Sequence, residues 1–127
     1  MVRIISMSLD EKLLEEIDNL EKAMRTGRSE VIREGIRALL DEKKSRESLS
    51  GDIECILIAV HGARAEDDIT EIKHKYEKII KIQIHNNLKH NKCLELFVAD
   101  GPSETVVKFY NELQANRKIS YTKLIVA

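Results

Sequence analysis

The apolar periodicity of this chain stops between residues 41 and 51. The segment reads DEKKSRESLSG and contains one large apolar side chain, Leu49. A polar stretch of this kind cannot fill a core, and it is typical of a helix end followed by a linker. We therefore predict two separate domains, at residues 1–44 and 52–127, joined by a linker at residues 45–51.

The first domain has the pattern of one strand and two helices. Residues 2–9, VRIISMSL, alternate as in a short strand. Asp10 is a favourable residue to begin a helix, Gly27 to end it, and Ser29 to begin a second one. A unit of about 45 residues with a single strand cannot bury both helices or satisfy the backbone groups of that strand. We predict an obligate dimer in which two copies pair their strands into a two-stranded ribbon.

The second domain alternates strand-like and helix-like segments. The predicted strands lie at residues 54–61, 79–86, 93–99 and 119–126, and the predicted helices at 66–78 and 102–117. The order β-α-β-β-α-β is that of a ferredoxin-like fold, which small regulatory ligand-binding domains also use. The whole chain is therefore predicted to be an α+β protein.

Charge, cysteine count and hydropathy exclude several classes of protein. The net charge is −1, which argues against a strongly basic, non-specific nucleic-acid binder but not against one that reads base edges with a few side chains. Two cysteines are too few for a disulfide scaffold, and no apolar run is long enough for a signal peptide or a membrane span. Neither a nucleophile–base motif nor a phosphate-binding glycine loop is present. We expect a cytoplasmic protein that is not an enzyme and does not enter a membrane.

Three histidines and a cysteine are concentrated in the second domain. His74, His85, His90 and Cys93 fall within about twenty residues, and imidazole and thiolate are ligands that suit nickel, copper, zinc and cobalt. Strand alternation places His85, Asn87 and Cys93 on one sheet face and aliphatic residues on the other. We expect the aliphatic face to lie under the helices, so that the polar residues occupy the helix-free face, where a second subunit would cover them.

Two histidines of this domain lie apart from that face. His74 is near the outward side of its helix and poorly placed to reach that face in its own chain, so a partner chain could supply it. His61, at the end of the first predicted strand of this domain, is a peripheral candidate ligand. The alternative interpretation is a set of surface histidines beside a half-buried cysteine, with no metal.

The outward side chains of the predicted ribbon are Ile4, Ser6 and Ser8, because the alternate positions are apolar and pack on the helices. Such a ribbon fits the DNA major groove, where hydroxyl groups meet base edges and a methyl-bearing chain meets thymine. Ser29 and the first N–H groups of the second helix would hold a backbone phosphate, and Arg28 would add charge. The alternative is a dimerisation module whose serines are only solvated.

The segments VRIISMSLDEKLLEEID and GRSEVIREGIRALL resemble the ribbon–helix–helix repressors, over essentially all of residues 2–44. The resemblance implies base readout by the outward strand residues and phosphate binding by Arg28 and Ser29. Relatives often carry arginine at the first outward position, whereas this chain has Ile4 there and Arg3 beside it. The operator sequence is therefore expected to differ.

The spans from His74 to His85 and from His85 to Cys93 resemble, without gaps, NikR-type nickel-responsive regulators. The resemblance implies an ACT-like ferredoxin-fold domain, a homotetramer built as a dimer of dimers, double-stranded operator DNA as partner, and nickel bound between subunits. Its implied ligands are His85 and Cys93 of one subunit and His74 of a neighbour. The fourth position, a histidine in the family, is Asn87 here. An amide is a weaker ligand for planar nickel than imidazole, so copper, zinc and cobalt remain open, as does completion of the shell by His90.

Glu30 and Glu34 match acidic positions that in this family help to hold a second cation; the alternative is a solvated helix face. Two other functions fit the same order of domains. One is a regulator that senses a small molecule such as an amino acid, and the other is an antitoxin-type repressor with no metal response.

Overall fold

The computed structural model describes residues 1–127, which divide into two compact units, 1–47 and 48–127. The first unit contains α1 (Glu11–Met24) and α2 (Arg28–Glu47). Asp10 caps α1 as predicted, since its side chain accepts a hydrogen bond from the Leu13 N–H at 2.8 Å. Because α2 begins at Arg28, Ser29 lies in its first turn and is not the cap that the sequence predicted. At its other end α2 extends through residue 47.

The first ten residues of a single chain lie outside helices and strands, so the strand predicted at residues 2–9 is not formed here. A strand takes its hydrogen bonds from a neighbouring strand, and the partner that the sequence predicts for this one is a second copy of the chain. Ile4 and Ile5 are accordingly 97% and 78% exposed. Within this unit Ile17 and Val31 are the buried apolar residues, which is a small core for a unit of this size.

The second unit is a four-stranded antiparallel sheet with two helices, in the order β-α-β-β-α-β that the sequence predicts. The elements are β1 (Asp52–Gly62), α3 (Glu66–Lys75), β2 (Ile80–Leu88), β3 (Lys92–Pro102), α4 (Ser103–Ala115) and β4 (Ile119–Val126). The strand order across the sheet is β2-β3-β1-β4. This connectivity is the ferredoxin-like fold.

Helices α3 and α4 pack on one face of the sheet and close an aliphatic and aromatic core. Its buried residues include Leu57, Phe97, Val106 and Phe109. The Phe109 ring meets Phe97 edge-on at a centroid distance of 5.3 Å and stacks on Tyr76 at 4.9 Å. Because Phe97 packs against the helices, the alternate residues of β3 and the residues of β1 paired with them lie on the same face.

The face that carries the helices is the opposite of the one the sequence analysis expected. Cys93 and Glu95 share the buried side of β3 with Phe97, whereas Ile82 and Ile84 of β2 are half exposed on the helix-free face. Alternation alone indicated the wrong face because β1 is apolar on both of its faces, and the core on the helix side includes Ala59, Phe97 and Ala99. The candidate metal ligands therefore lie on the helix side, and the helix-free face is aliphatic.

Gly101, near the end of β3, provides a test of this packing. A Cβ added there would lie 2.6 Å from Cγ2 and 3.2 Å from Cβ of Ile79. We expect Gly101→Ala to lower the free energy of unfolding by about 1–3 kcal/mol, because a β-branched neighbour cannot rotate away. Urea unfolding of the full chain measures this change. Gly62→Ala is the matched control, since its Cβ would find only the Asn91 oxygen at 3.8 Å; equal midpoints for the two variants would contradict the packing described.

Candidate functional site

Strands β2, β3 and β1 place polar side chains in two adjacent rows on the helix-covered face. The register pairs Asn87 with Cys93 and Cys93 with His61, and in the next row it pairs His85 with Glu95. Directly opposite residues of neighbouring strands have their side chains on the same face. Five polar or thiol side chains from three strands therefore meet at one end of the sheet.

Three of these side chains converge on one another. His61 Nε2 lies 3.3 Å from Glu95 Oε1, and His85 Nδ1 makes a short contact with the same carboxylate oxygen. One ligand atom from each of the three residues lies within 4.8 Å of the other two. His61 and Glu95 are buried, whereas His85 is half exposed and connects the cluster to solvent.

Neighbouring groups hold the cluster in place. The carbonyl oxygen of Gly62 lies 2.8 Å from His61 Nδ1 and accepts its hydrogen, and Gln83 Nε2 donates to Glu95 Oε2 at 3.1 Å. The hydrogen bond to Glu95, followed by the negative charge of that carboxylate, raises the pKa of His85 above its ordinary value. A metal ion at this ring would have to displace that proton.

The predicted ligands Asn87 and Cys93 are brought together in the neighbouring row. The Cys93 thiol donates to Asn87 Oδ1 across 3.6 Å, and the thiol is buried. His74 lies elsewhere, on the outward side of α3, with its Nδ1 3.5 Å from Glu77. His90 is an exposed residue of the β2–β3 loop, in the left-handed region with φ 61°. Within one chain, neither His74 nor His90 belongs to the three-residue cluster.

The sequence analysis treated His61 as peripheral and did not single out Glu95, although both lie at the centre of the cluster. A signal for Glu95 was present in the sequence. A charged residue that alternates with Cys93 and Phe97 on a strand shares their face, and a carboxylate on a buried face needs a partner. For His61 the sequence offers no comparable signal, because its register against β3 is a tertiary property.

The candidate DNA-binding residues belong to the first unit. Arg3, Ile4 and Ser29 line a common groove, and Ser6 and Ser8 are exposed. None of these five residues belongs to the buried core of the unit.

Ion pairs hold the charged side chains at the start of α2. Arg28 pairs with Asp18 at 3.0 Å and with Glu21 at 3.5 Å, and its hydrogen bond to Asp18 raises its pKa. The two oxygens of Glu30 accept from Arg33 and Arg37, at 3.0 and 3.1 Å, and these bonds lower its pKa. Glu30 therefore already has cationic partners within its own chain.

Family models match both parts of the chain. Residues 3–43 match the model described as "Ribbon-helix-helix protein, copG family", and residues 56–127 match "NikR C terminal nickel binding domain". Together these domains define a transcriptional regulator with a DNA-binding arm and a sensing domain, and not an enzyme. The chain belongs to the NikR family, as the sequence resemblance indicated.

Full-length relatives agree with the family models. A protein of Methanococcus maripaludis strain C5 named "Putative nickel-responsive regulator" is 33% identical over 126 residues, which cover 96% of this chain and 89% of the relative. Proteins of the same name from Solidesulfovibrio magneticus and Methanocaldococcus jannaschii are 34% and 33% identical, cover 95% and 96% of this chain, and each match over 89% of their own length.

Among solved structures, an uncharacterised protein of Thermotoga maritima superposes with a TM-score of 0.56 at 15% identity. The match covers 60% of this chain and 98% of that one. At this identity the similarity concerns the fold alone. Separately, none of the helices combines the length and apolar character that crossing a bilayer requires.

The contact between Glu95 and His85 can be tested in metal-free protein. We expect Glu95→Gln to bring the pKa of His85 back down toward its ordinary value, because the amide carries no negative charge and its oxygen is a weaker acceptor for the protonated ring. The NMR resonances of the His85 ring, followed over pH, measure this change. Glu112→Gln is the control, since Glu112 lies on α4 and pairs with Lys75; an equal titration of His85 in both variants would contradict the assigned contact.

Proposed function

We propose that this chain is a cytoplasmic, homotetrameric regulator in which a metal ion bound by the sensing domain controls binding to operator DNA. The observation that carries the proposal is that the Cys93 thiol and the Asn87 amide lie side by side at one end of the sheet, with the His85 imidazole in the adjacent row of the same face. The relatives of this chain are named for a response to nickel, and nickel is the ion we propose for the physiological response.

The proposed ligand set is His85, Asn87 and Cys93 of one chain and His74 of a neighbour. Cys93 and Asn87 already lie side by side, and His85 occupies the adjacent row. The ring of His74 is largely exposed on α3, as a ligand offered to a partner chain must be. Metal bound in this way would join two subunits, and the thiolate and imidazole donors suit nickel, copper, zinc and cobalt.

Uncovered apolar surface in each unit supports assembly. On the helix-free face of the sheet, large aliphatic and aromatic side chains are half exposed: Ile82, Ile84, Tyr121 and Ile125. In the first unit, apolar residues of α2 are also exposed: Ile36, Leu39 and Leu40. Monomeric proteins rarely leave contiguous apolar patches of this kind in water. Pairing through both surfaces generates a dimer of dimers.

In the proposed DNA complex, two arms pair as a ribbon and enter the major groove. Ser6 and Ser8 would meet base edges, and Ile4 would contact a thymine methyl group. Arg28 and Ser29, at the start of α2, would bind a backbone phosphate. The ion pair with Asp18 holds the Arg28 side chain near this position before DNA arrives.

Metal and DNA binding must be linked for the regulator to respond. Metal has to bind the DNA-competent form more tightly than other forms, and DNA then tightens metal binding by the same factor. Couplings of this kind amount to about 1–3 kcal/mol, or roughly 5–150-fold in affinity.

The ligand set is tested with the double variant His85→Ala/Cys93→Ala. We expect metal-dependent binding to a selected operator duplex to be abolished, because both strong donors are removed. Cys55→Ala is the matched control: burial raises the pKa of that thiol to about 11, so it stays protonated and should not serve as a ligand. Gel-shift titration with and without nickel gives the readout. Metal dependence that survives in the double variant would rule out the assigned ligands.

The DNA arm is tested separately by selecting duplexes from a random pool. We expect Ser6→Ala/Ser8→Ala to relax sequence preference, by about 1–3 kcal/mol for each hydrogen bond to a base edge that the variant can no longer make. Arg28→Ala should instead weaken binding to all sequences. The slope of log affinity against log salt concentration should fall by about 1, because one phosphate contact is lost. Ser50→Ala, at an exposed residue next to the sheet domain, is the control. An unchanged preference in the arm variant would reject strand readout.

A further inference from the structure

The proposed intersubunit ligand set leaves two converging side chains unused, His61 and Glu95. Both are buried. The Glu95 carboxylate contacts the His85 ring, and His61 Nε2 faces the same carboxylate oxygen. We propose that His61 Nε2, His85 Nδ1 and Glu95 Oε1 form a divalent-metal site within a single chain. The inference rests on the proposed function in one respect, namely that this domain binds metal.

The hydrogen bonding of His61 is the first argument. A carbonyl oxygen can only accept, so the contact with the Gly62 oxygen at 2.8 Å requires the hydrogen on Nδ1. In the neutral ring the lone pair then lies on Nε2, which faces the Glu95 oxygen at 3.3 Å. Two acceptors face each other in a buried site, and a cation between them removes the conflict. A ring N–H bonded to a backbone carbonyl is also the usual arrangement around a metal-ligating histidine.

The distances are the second argument. Ligand atoms about 2.0–2.1 Å from a tetrahedral ion stand roughly 3.4 Å apart. His61 Nε2 and Glu95 Oε1 are separated by 3.3 Å, and the three donor atoms already lie within 4.8 Å of one another. Small side-chain rotations are enough to bring all three around an ion.

The surroundings of Glu95 are the third argument. Gln83 donates to Oε2 at 3.1 Å, which leaves Oε1 as the oxygen that faces the two rings. In the neighbouring row the Cys93 thiol donates to Asn87 and so is satisfied without the three-residue cluster. The two ligand sets share His85 and a sheet face, but His61 and Glu95 belong only to the intrachain set and Cys93 only to the intersubunit set, so substitution can separate them.

The donor set indicates the class of ion. Two imidazoles and one carboxylate, with a fourth position open, suit zinc and its spectroscopic substitute cobalt in a tetrahedral geometry. The ligand set proposed above for nickel between subunits is different, because it contains the Cys93 thiolate. The half-exposed His85 ring provides a path from solvent to an otherwise buried site.

The experiment titrates cobalt(II) into the metal-free full chain and follows visible absorption, with zinc competition to give affinity. We expect one ion per chain with tetrahedral d–d bands and no thiolate charge-transfer band. Glu95→Gln, which keeps the shape of the side chain, should abolish these bands. Gln83→Ala should weaken zinc affinity by about 10–100-fold, because Gln83 only orients a ligand. Glu112→Gln, a charge-removing control on α4, should leave both the bands and the zinc affinity unchanged.

Two further variants separate this proposal from the intersubunit site. His61→Gln should abolish the tetrahedral signal, whereas Cys93→Ser should retain it. If Cys93→Ser removes the signal and both Glu95→Gln and His61→Gln retain it, the intrachain site is wrong and the intersubunit ligand set stands. If the wild-type chain binds neither cobalt nor nickel, both proposals fail. Circular dichroism of each metal-free variant checks folding. If His61→Gln does not fold, the cobalt signal of the isosteric variant Glu95→Gln decides whether the intrachain site exists.

Discussion

Burial of the Glu95 carboxylate is the constraint around which the sensing domain is arranged. Glu95 is 3% exposed because Phe97, two residues further along β3, must face the helices to complete the core. The strand cannot bury one side chain and expose the other. An isolated buried carboxylate is costly, and it persists only when other groups satisfy it. His85 and Gln83 supply those groups from the neighbouring strand β2, so the packing of an aromatic ring determines where the polar cluster forms.

Much of this architecture could be predicted from local pattern. The Asp10 cap, the order of strands and helices in the second unit, and the bounds of β4 at residues 119–126 all follow from periodicity and from residues that begin or end a helix. These features depend on side chains a few positions apart, which a single sequence displays directly.

Features that depend on a distant partner were not predictable in this way. Alternation showed that His85 and Cys93 share a face of the sheet, but it could not show which face the helices cover, since β1 is apolar on both. The location of His61 against Glu95 depends on the register of β1 with β3, across 34 positions of sequence. The arm at residues 2–9 presents the same difficulty, because the hydrogen-bonding partner proposed for it is a second copy of the chain and the arm forms no strand within one chain.

The uncovered aliphatic surfaces have a consequence for how such a regulator behaves inside a cell. In the tetramer proposed above, other copies of the chain cover these faces, so assembly would stabilise the fold by mass action and its folded fraction would depend on its own abundance. At low copy number a larger fraction of the subunits would then be unassembled and less stable. Expression level is then part of the threshold at which the circuit switches, alongside the concentration of the ion that it detects.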